Sequence, residues 1–186
     1  MSAFRMRCLA LAPAFAAIVC LEPANAQIAT PAEARIDVES LMETVRTLSS
    51  PAFEGRRTGT PGNEKARAWI SERFRGTGLA AASSSVEIPF KFTRKTETHD
   101  GVNIAVVCPG RGAADNGAMI VTAHYDHVGV RDGALHPGAD DNASGVAVLL
   151  ELARHCRRSP WTHDAIFVAL DAEELGLQGA RALVSS

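Results

Sequence analysis

The stretch AMIVTAHYDH (118–127) decides the fold, because a short and nearly continuous apolar run passes directly into polar residues. Such a run is typical of a strand buried on both faces, and we predict a central strand over 118–123. The stretch AIFVALDAEE (165–174) has the same form and predicts a second buried strand. Apolar residues at helical spacing predict a helix over 143–156 between them. This alternation of strand, helix and strand argues for an α/β layer fold.

The rest of the chain adds the elements of a three-layer arrangement. The same patterns predict helices over 37–48 and 63–76, strands over 85–92 and 102–108, and a last helix from about 177. Clusters of glycine, proline and small polar residues predict loops over 49–63 and 124–141. We therefore expect an α/β fold with a mixed, mostly parallel sheet and helices on both faces.

An N-terminal targeting segment is predicted over 1–26. Two arginines precede a short apolar run over 8–21, and a small-x-small pattern ends at Ala26, where we expect cleavage. The alternative is a membrane anchor, but the run is short for a bilayer span and contains a proline. We expect one domain over 27–186, secreted or periplasmic, with no stable membrane span after cleavage.

Composition excludes several classes of protein. Hydrophobic residues make up 46% of the 186 residues, which argues against wholesale disorder. The formal net charge is −2 and no basic block stands out, which argues against a nucleic-acid partner. Two cysteines, Cys108 and Cys156, lie outside the targeting segment. An exported compartment permits a disulfide between them, but we expect two buried, small apolar side chains.

The informative polar residues follow the predicted buried strands. His124 and Asp126 come directly after the first strand, Glu173 and Glu174 come just after the second, and Asp141 precedes the helix between them. In open α/β sheets, ligand sites lie at the carboxyl ends of strands, so these segments converge on one edge. Imidazole nitrogens and carboxylate oxygens suit zinc and other divalent ions. The pattern therefore indicates a site for one or two metal ions.

Each of these residues also has a structural interpretation. His124 could be a hydrogen-bonded structural histidine. Asp140 or Asp141 could cap the helix predicted from 143, which is the usual role of an aspartate before a helix. Glu173 and Glu174 could belong to a solvated turn. Composition and spacing alone leave both interpretations open.

Four longer stretches share one pattern: LSSPAFEGRRTGTPGNEKARAWISERFRGTGL (48–79), VTAHYDHVG (121–129), PGADDNASGVAVLLELAR (137–154) and FVALDAEELGLQGARALV (167–184). In this order and spacing they resemble the co-catalytic zinc aminopeptidases of peptidase family M28. The resemblance covers most of the chain after the targeting segment. It implies the fold of zinc peptidases, two zinc ions per complete site, and peptide substrates with a free N-terminus.

The resemblance also implies a role for each residue of the site. His124 would bind one zinc ion, and Asp126 would orient its ring. Asp141 would bridge the two ions, and Glu174 would bind the second. Glu173 would act as general base towards a metal-activated bridging water, so that the N-terminal peptide bond is hydrolysed. In this family the peptide bond before the bridging aspartate is often cis, which predicts a cis bond between Asp140 and Asp141.

The family uses five protein ligands, and its last two, an aspartate and a histidine, follow the Glu-Glu turn. We therefore expect the domain to be incomplete at its C-terminus, and residues 27–186 alone to bind zinc weakly and to have little peptidase activity. Two alternatives stay open: an enzyme with one zinc ion that resembles glutaminyl cyclases, and a non-catalytic, peptidase-like binding domain. The side-chain preference and the oligomeric state are not determined by the sequence.

Overall fold

The computed structural model describes residues 36–112 and 117–185. The predicted targeting segment, 1–26, lies outside these residues, and the domain boundary after Ala26 stays a prediction. Within the described part of the chain, no helix combines the length and the apolar character needed to cross a bilayer.

Local sequence explains where the helices begin. The Asp37 side chain accepts hydrogen bonds from the N–H groups of the first turn of the first helix. Thr60 caps the second helix, with Pro61 at its first position. The α-helices of the described residues are α1 (Val38–Leu48), α2 (Pro61–Gly76), α3 (Ser144–Arg158) and α4 (Gln178–Val184). Each lies within a few residues of its predicted position.

Five strands form a mixed sheet: β1 (Ala80–Ala81), β2 (Glu87–Arg94), β3 (Glu97–Cys108), β4 (Ala118–His124) and β7 (Asp164–Leu170). Their order is β1-β3-β7-β4, and β2 also pairs with β3. Strands β1, β2 and β7 run antiparallel to β3, whereas β4 and β7 are parallel. A separate hairpin joins β5 (Gly129–Arg131) to β6 (Ala134–His136).

Helices cover both faces of this sheet. On one face, Val106 of β3 and Phe167 of β7 lie in the main core with residues of α2 and α3 such as Ile70 and Leu149. On the other face, Val168 of β7 belongs to a smaller cluster packed against residues of α4. The three-layer α/β architecture with a mixed sheet is therefore confirmed. The prediction that this sheet is mostly parallel was wrong for the described strands, because only the pair β4–β7 is parallel and the other three pairs are antiparallel.

The prediction that residues 118–123 form a buried central strand was wrong. β4 lies at the end of the strand order in the described sheet, and the side chains of Met119 and Ile120 are 48% and 55% exposed. Only its end is buried, where Ala123 joins the core. A continuous apolar run indicates a strand, but it does not determine how many neighbours that strand has.

Short elements occupy two segments that were predicted to be loops. A 3₁₀ turn spans Pro51–Arg56, and the β5–β6 hairpin lies within 124–141. The hairpin turns at Asp132 and Gly133, which both have positive φ, as a tight two-residue turn requires. These strands have three residues each, too few to show an alternating pattern, although an Asp-Gly pair is a hairpin signal.

Cys108 and Cys156 form a disulfide that joins the end of β3 to α3, with their Cα atoms 6.4 Å apart. The expectation of two separate buried thiols was therefore wrong. Both residues are buried as predicted, but they lie 48 positions apart in the sequence. Pairing depends on a distance that only the packing of α3 on the sheet determines.

Candidate metal centre

The parallel pairing of β4 and β7 brings the predicted site residues together. His124 and Leu170, the last residues of the two strands, lie opposite each other. The pairing extends one residue further, because the Tyr125 N–H donates to the carbonyl of Leu170 at 2.9 Å. The segments that begin with Asp126 and Asp171 therefore leave the sheet side by side. This confirms that the strand ends converge at one edge.

Asp141 lies between two histidines. Its Oδ1 is 3.1 Å from Nε2 of His124, and its Oδ2 is 3.5 Å from Nδ1 of His127. The same Nδ1 lies 2.8 Å from Oε1 of Glu174. The two carboxylate oxygens of Asp141 thus face two different groups of donors. A carboxylate that is shared between two neighbouring ions would have this arrangement.

The donors fit a zinc ion in kind and in spacing. One ligand atom each from His127, Asp141 and Glu174 lie within 4.8 Å of one another. With ligand distances of about 2.1 Å, two ligand atoms of one tetrahedral zinc are about 3.4 Å apart. Nδ1 of His127 is buried and forms no hydrogen bond, because its close contact with Glu174 has poor hydrogen-bond geometry. This nitrogen faces two carboxylates without a hydrogen bond, which is a suitable position for the donor atom of a metal ligand.

Asp126 contacts three of the predicted site residues. Its carboxylate is completely buried, and its oxygens accept the N–H groups of Glu173 at 3.0 Å and of Glu174 at 3.1 Å. Nδ1 of His124 lies 3.1 Å from the Asp126 carbonyl and 3.7 Å from its carboxylate. The backbone of Asp126 is thus the nearer partner of the His124 ring, while its side chain fixes the Glu-Glu turn.

The charges around His124 favour its protonated form. Burial lowers the pKa of His124, but the hydrogen bonds and charge of Asp126 and the charge of Glu173 raise it, and the net shift is upward. A metal ligand must be a neutral imidazole, so a proton and a metal ion compete for this ring.

A buried network holds the end of β7. The Asp171 carboxylate accepts hydrogen bonds from the Thr58 hydroxyl at 2.9 Å, the Asn63 amide at 3.1 Å and two backbone N–H groups. Burial and the charge of Asp126 raise the pKa of Asp171, and the hydrogen bonds oppose this shift. The network therefore ties the Glu-Glu turn to α2 and to the segment before it.

Two residues that matter to the site were not predicted. His127 comes three residues after His124, and its place directly after Asp126 at a strand end was a usable signal. Arg56 gave no such signal. It is fully buried and donates to the carbonyls of Leu48, Tyr125, Pro137 and Gly138.

Arg56 therefore fixes the loop that leads to Asp141. Burial lowers the pKa of Arg56 to about 10, while the charges of Asp126 and Asp141 act in the opposite direction.

Neither aspartate before α3 acts as its side-chain cap. The Asn142 side chain accepts the N–H of Gly145 at 3.1 Å, and Asp140 contributes its backbone carbonyl to Ser144. The carboxylate of Asp141 is thus available to other partners. The cis peptide bond joins Asp141 to Asn142. The prediction of a cis bond between Asp140 and Asp141 was one residue too early.

Known proteins resemble this chain in sequence. The family model described as peptidase family M28 matches residues 103–186. Aminopeptidase YwaD of Bacillus subtilis is 48% identical over 62 residues, which are 33% of this chain and 12% of that protein. The matches span less than half the length of the curated relatives, for example 41% and 37% of two Escherichia coli proteins.

Solved structures have the same fold. A glutaminyl cyclase from an Acidobacteriales bacterium superposes with a TM-score of 0.67 at 25% identity, covering 84% of this chain and 55% of that one. A zinc aminopeptidase from Bacillus subtilis superposes with a TM-score of 0.64 at 16% identity, covering 82% and 66%, which shows the fold alone. Residues 103–186, which include the candidate metal centre, therefore match peptidase family M28, and the fold is that of zinc aminopeptidases and glutaminyl cyclases.

Proposed function

We propose that the protein is an exported zinc aminopeptidase that hydrolyses the N-terminal peptide bond of its substrates. The observation that carries this proposal is the position of Asp141, with one carboxylate oxygen towards His124 and the other towards His127, whose Nδ1 also contacts Glu174. His124, Asp141 and Glu174 would hold two zinc ions, with His127 as a further candidate ligand. The aminopeptidase among the relatives supports the substrate class.

Zinc, when bound, would polarise the scissile carbonyl and make water acidic enough to act as a nucleophile near neutral pH. The chain's own residues would then move the proton. Glu173 would take it from the water and return it to the leaving amine. The hydrogen bond from the Glu173 N–H to Asp126 fixes the backbone from which this carboxylate extends. Asp126 is thus a positioning residue.

Two features support export to an oxidising compartment. The sequence pattern of residues 1–26 is that of a cleaved signal peptide. The disulfide between Cys108 and Cys156 is a bond that persists in secreted and periplasmic proteins and is rare in the cytosol. We infer that the protein acts outside the cytoplasm.

The test of the proposed function uses the full-length, zinc-loaded gene product. Glu173→Gln keeps the size of the side chain but removes its basicity, so hydrolysis of aminoacyl anilides should fall by at least about 1,000-fold while the zinc content stays the same. Glu174→Gln is the matched comparison and should lose zinc. If Glu173→Gln loses zinc and Glu174→Gln keeps it, the two roles are exchanged. Full activity of Glu173→Gln would refute the mechanism.

A second candidate function follows from the structural neighbours, which include glutaminyl cyclases. Such an enzyme would cyclise an N-terminal glutamine and release ammonia. A peptide that begins with Gln-Leu distinguishes the two reactions, because mass spectrometry separates loss of ammonia from loss of the first residue. Zinc analysis adds a second criterion, since the cyclase alternative predicts one ion and the peptidase predicts two.

A further inference from the structure

A cavity of about 100 Å³ lies beside the candidate metal centre. His127 and Glu174 belong to its lining, and so do three arginines, Arg57, Arg94 and Arg131. We call this cavity the arginine pocket. A single water molecule needs roughly 10–15 Å³ of cavity volume, so the arginine pocket has room for several atoms of a ligand.

The three arginines come from separate elements. Arg57 follows the 3₁₀ turn, Arg94 is the last residue of β2, and Arg131 is the last residue of β5. The fold brings these three arginines to one place, although Arg57 and Arg131 lie 74 positions apart in the sequence. A cluster of this kind is therefore a feature of the tertiary structure and not of a locally basic sequence.

The acidic groups of the pocket already have partners. Both oxygens of Asp126 accept backbone N–H groups, and Glu174 faces His127. In the part of the chain that the structure describes, none of the three arginines takes part in the ion pairs, which involve other residues. Their guanidinium groups are thus available to a ligand, and a guanidinium fits a carboxylate through two parallel hydrogen bonds.

We propose that the arginine pocket binds a carboxylate of the peptide substrate. This inference rests on the proposed aminopeptidase function, because Glu174 and His127, two candidate ligands of the metal centre, also line the pocket. The carboxylate has two sources in a peptide: the side chain of an acidic first residue, or the free C-terminus of a short peptide. In either case the enzyme selects substrates with a negative charge near the bond that it cleaves.

Two pairs of substrates test the proposal on the full-length, zinc-loaded protein. Glutamyl and glutaminyl anilides have the same shape and differ in side-chain charge, and Leu-Gly and Leu-Gly-amide differ in the C-terminal charge. Charge-assisted hydrogen bonds predict a preference for the charged member of one pair of about tenfold or more in kcat/KM. Arg94→Gln and Arg131→Gln should each reduce this preference several-fold. Arg158→Gln, an exposed arginine at the end of α3, is the control and should leave it unchanged.

The two proposals fail in different ways. Hydrolysis of leucyl anilide with no preference for charge in either pair would overturn the arginine pocket and leave the aminopeptidase function intact. A preference that persists in the Arg94→Gln/Arg131→Gln double variant would also overturn it.

If no anilide is hydrolysed, calorimetry on the Glu173→Gln protein decides instead. It should show tighter binding of Glu-Ala-amide than of Gln-Ala-amide, or of Leu-Gly than of Leu-Gly-amide. Equal affinities within both pairs would reject the pocket.

Discussion

At the scale of single residues, Asp126 connects the two halves of the candidate site. Its carboxylate accepts the N–H groups of Glu173 and Glu174, and its carbonyl contacts the ring of His124. A buried carboxylate with several backbone donors has no simple replacement, because any neutral group leaves one donor without an acceptor. The positions of Glu173 and Glu174 therefore depend on the Asp126 side chain, and the position of the His124 ring depends on the backbone of the same residue.

Asp126→Asn tests this role. The amide nitrogen cannot accept a hydrogen bond, so one N–H of the Glu-Glu turn loses its partner and the turn shifts. We expect zinc affinity or kcat of the full-length protein to fall by about 10–100-fold, with KM less affected. Asp100→Asn removes an exposed carboxylate that pairs with Lys91 and is the control. Equal losses in both variants would show that Asp126 has no special role.

Individual residues also show where sequence-based inference stops. His124, Asp141 and Glu174 could be predicted because each lies close to the end of an apolar strand or to the start of a helix, and both are visible in the local sequence pattern. Arg56 could not, because its carbonyl partners in the loops lie 69 to 82 residues further along the chain. Arg56 donates to backbone carbonyls, which every residue has, so no residue type or spacing in the sequence indicates these hydrogen bonds.

At the scale of elements, the start of α4 restricts the position of the Glu-Glu turn. Gly179 packs against the backbone of Asp171 and the side chain of Asn103, so a Cβ atom there would collide with the carbonyl oxygen of Asp171. The N–H of Gly179 also donates to that carbonyl at 3.0 Å. This close approach holds α4 against the end of β7, from which Glu173 follows.

Gly179→Ala should therefore destabilise the protein by about 1–3 kcal/mol, the usual range for an added group in a packed site. Gly76→Ala is the matched control, because a Cβ at the end of α2 meets no atom within 4 Å. The control should be neutral or stabilising by up to about 1 kcal/mol, since alanine favours helix. Urea unfolding measures both changes, and equal midpoints for the two variants would contradict the packing described here.

The elements that could be predicted are those with a long repeating pattern. Helices α1 and α3 each show several turns of one apolar face, and β7 is a continuous apolar run. The 3₁₀ turn and the β5–β6 hairpin are too short for such patterns, so Arg57 and Arg131 appeared to lie in plain loops. The position of β4 at the end of the sheet that the described residues form was also missed, because it follows from pairing between distant segments.

At the scale of the whole molecule, one covalent bond links the sheet to α3. The disulfide closes a loop of 48 residues, and for that length the lost entropy of the unfolded chain corresponds to about 4 kcal/mol. We expect the Cys108→Ala/Cys156→Ala double variant, or reduction with dithiothreitol, to lower the free energy of unfolding by about 2–4 kcal/mol. Urea unfolding with and without reductant measures it. Free thiols on Cys108 and Cys156 in the unreduced protein, identified by alkylation and mass spectrometry, would disprove the bond.

The fold class could be inferred because alternating strands and helices allow few layer arrangements, and the site because parallel strand ends meet at one edge. The antiparallel pairing of β3 with β7 could not, since neither strand indicates its neighbour. The same holds for the disulfide, which depends on where α3 lies on the sheet.

The buried hydrogen bonds of Asp126 have a consequence for the response of the protein to chelators. None of these bonds involves a metal, so a molecule that has lost its zinc keeps the Glu-Glu turn in place. Removal of zinc with dipicolinate should leave the circular dichroism spectrum almost unchanged. Added zinc should restore activity without a refolding lag, whereas a slow recovery would show that the empty site collapses. Inactivation by chelators should then be fully reversible.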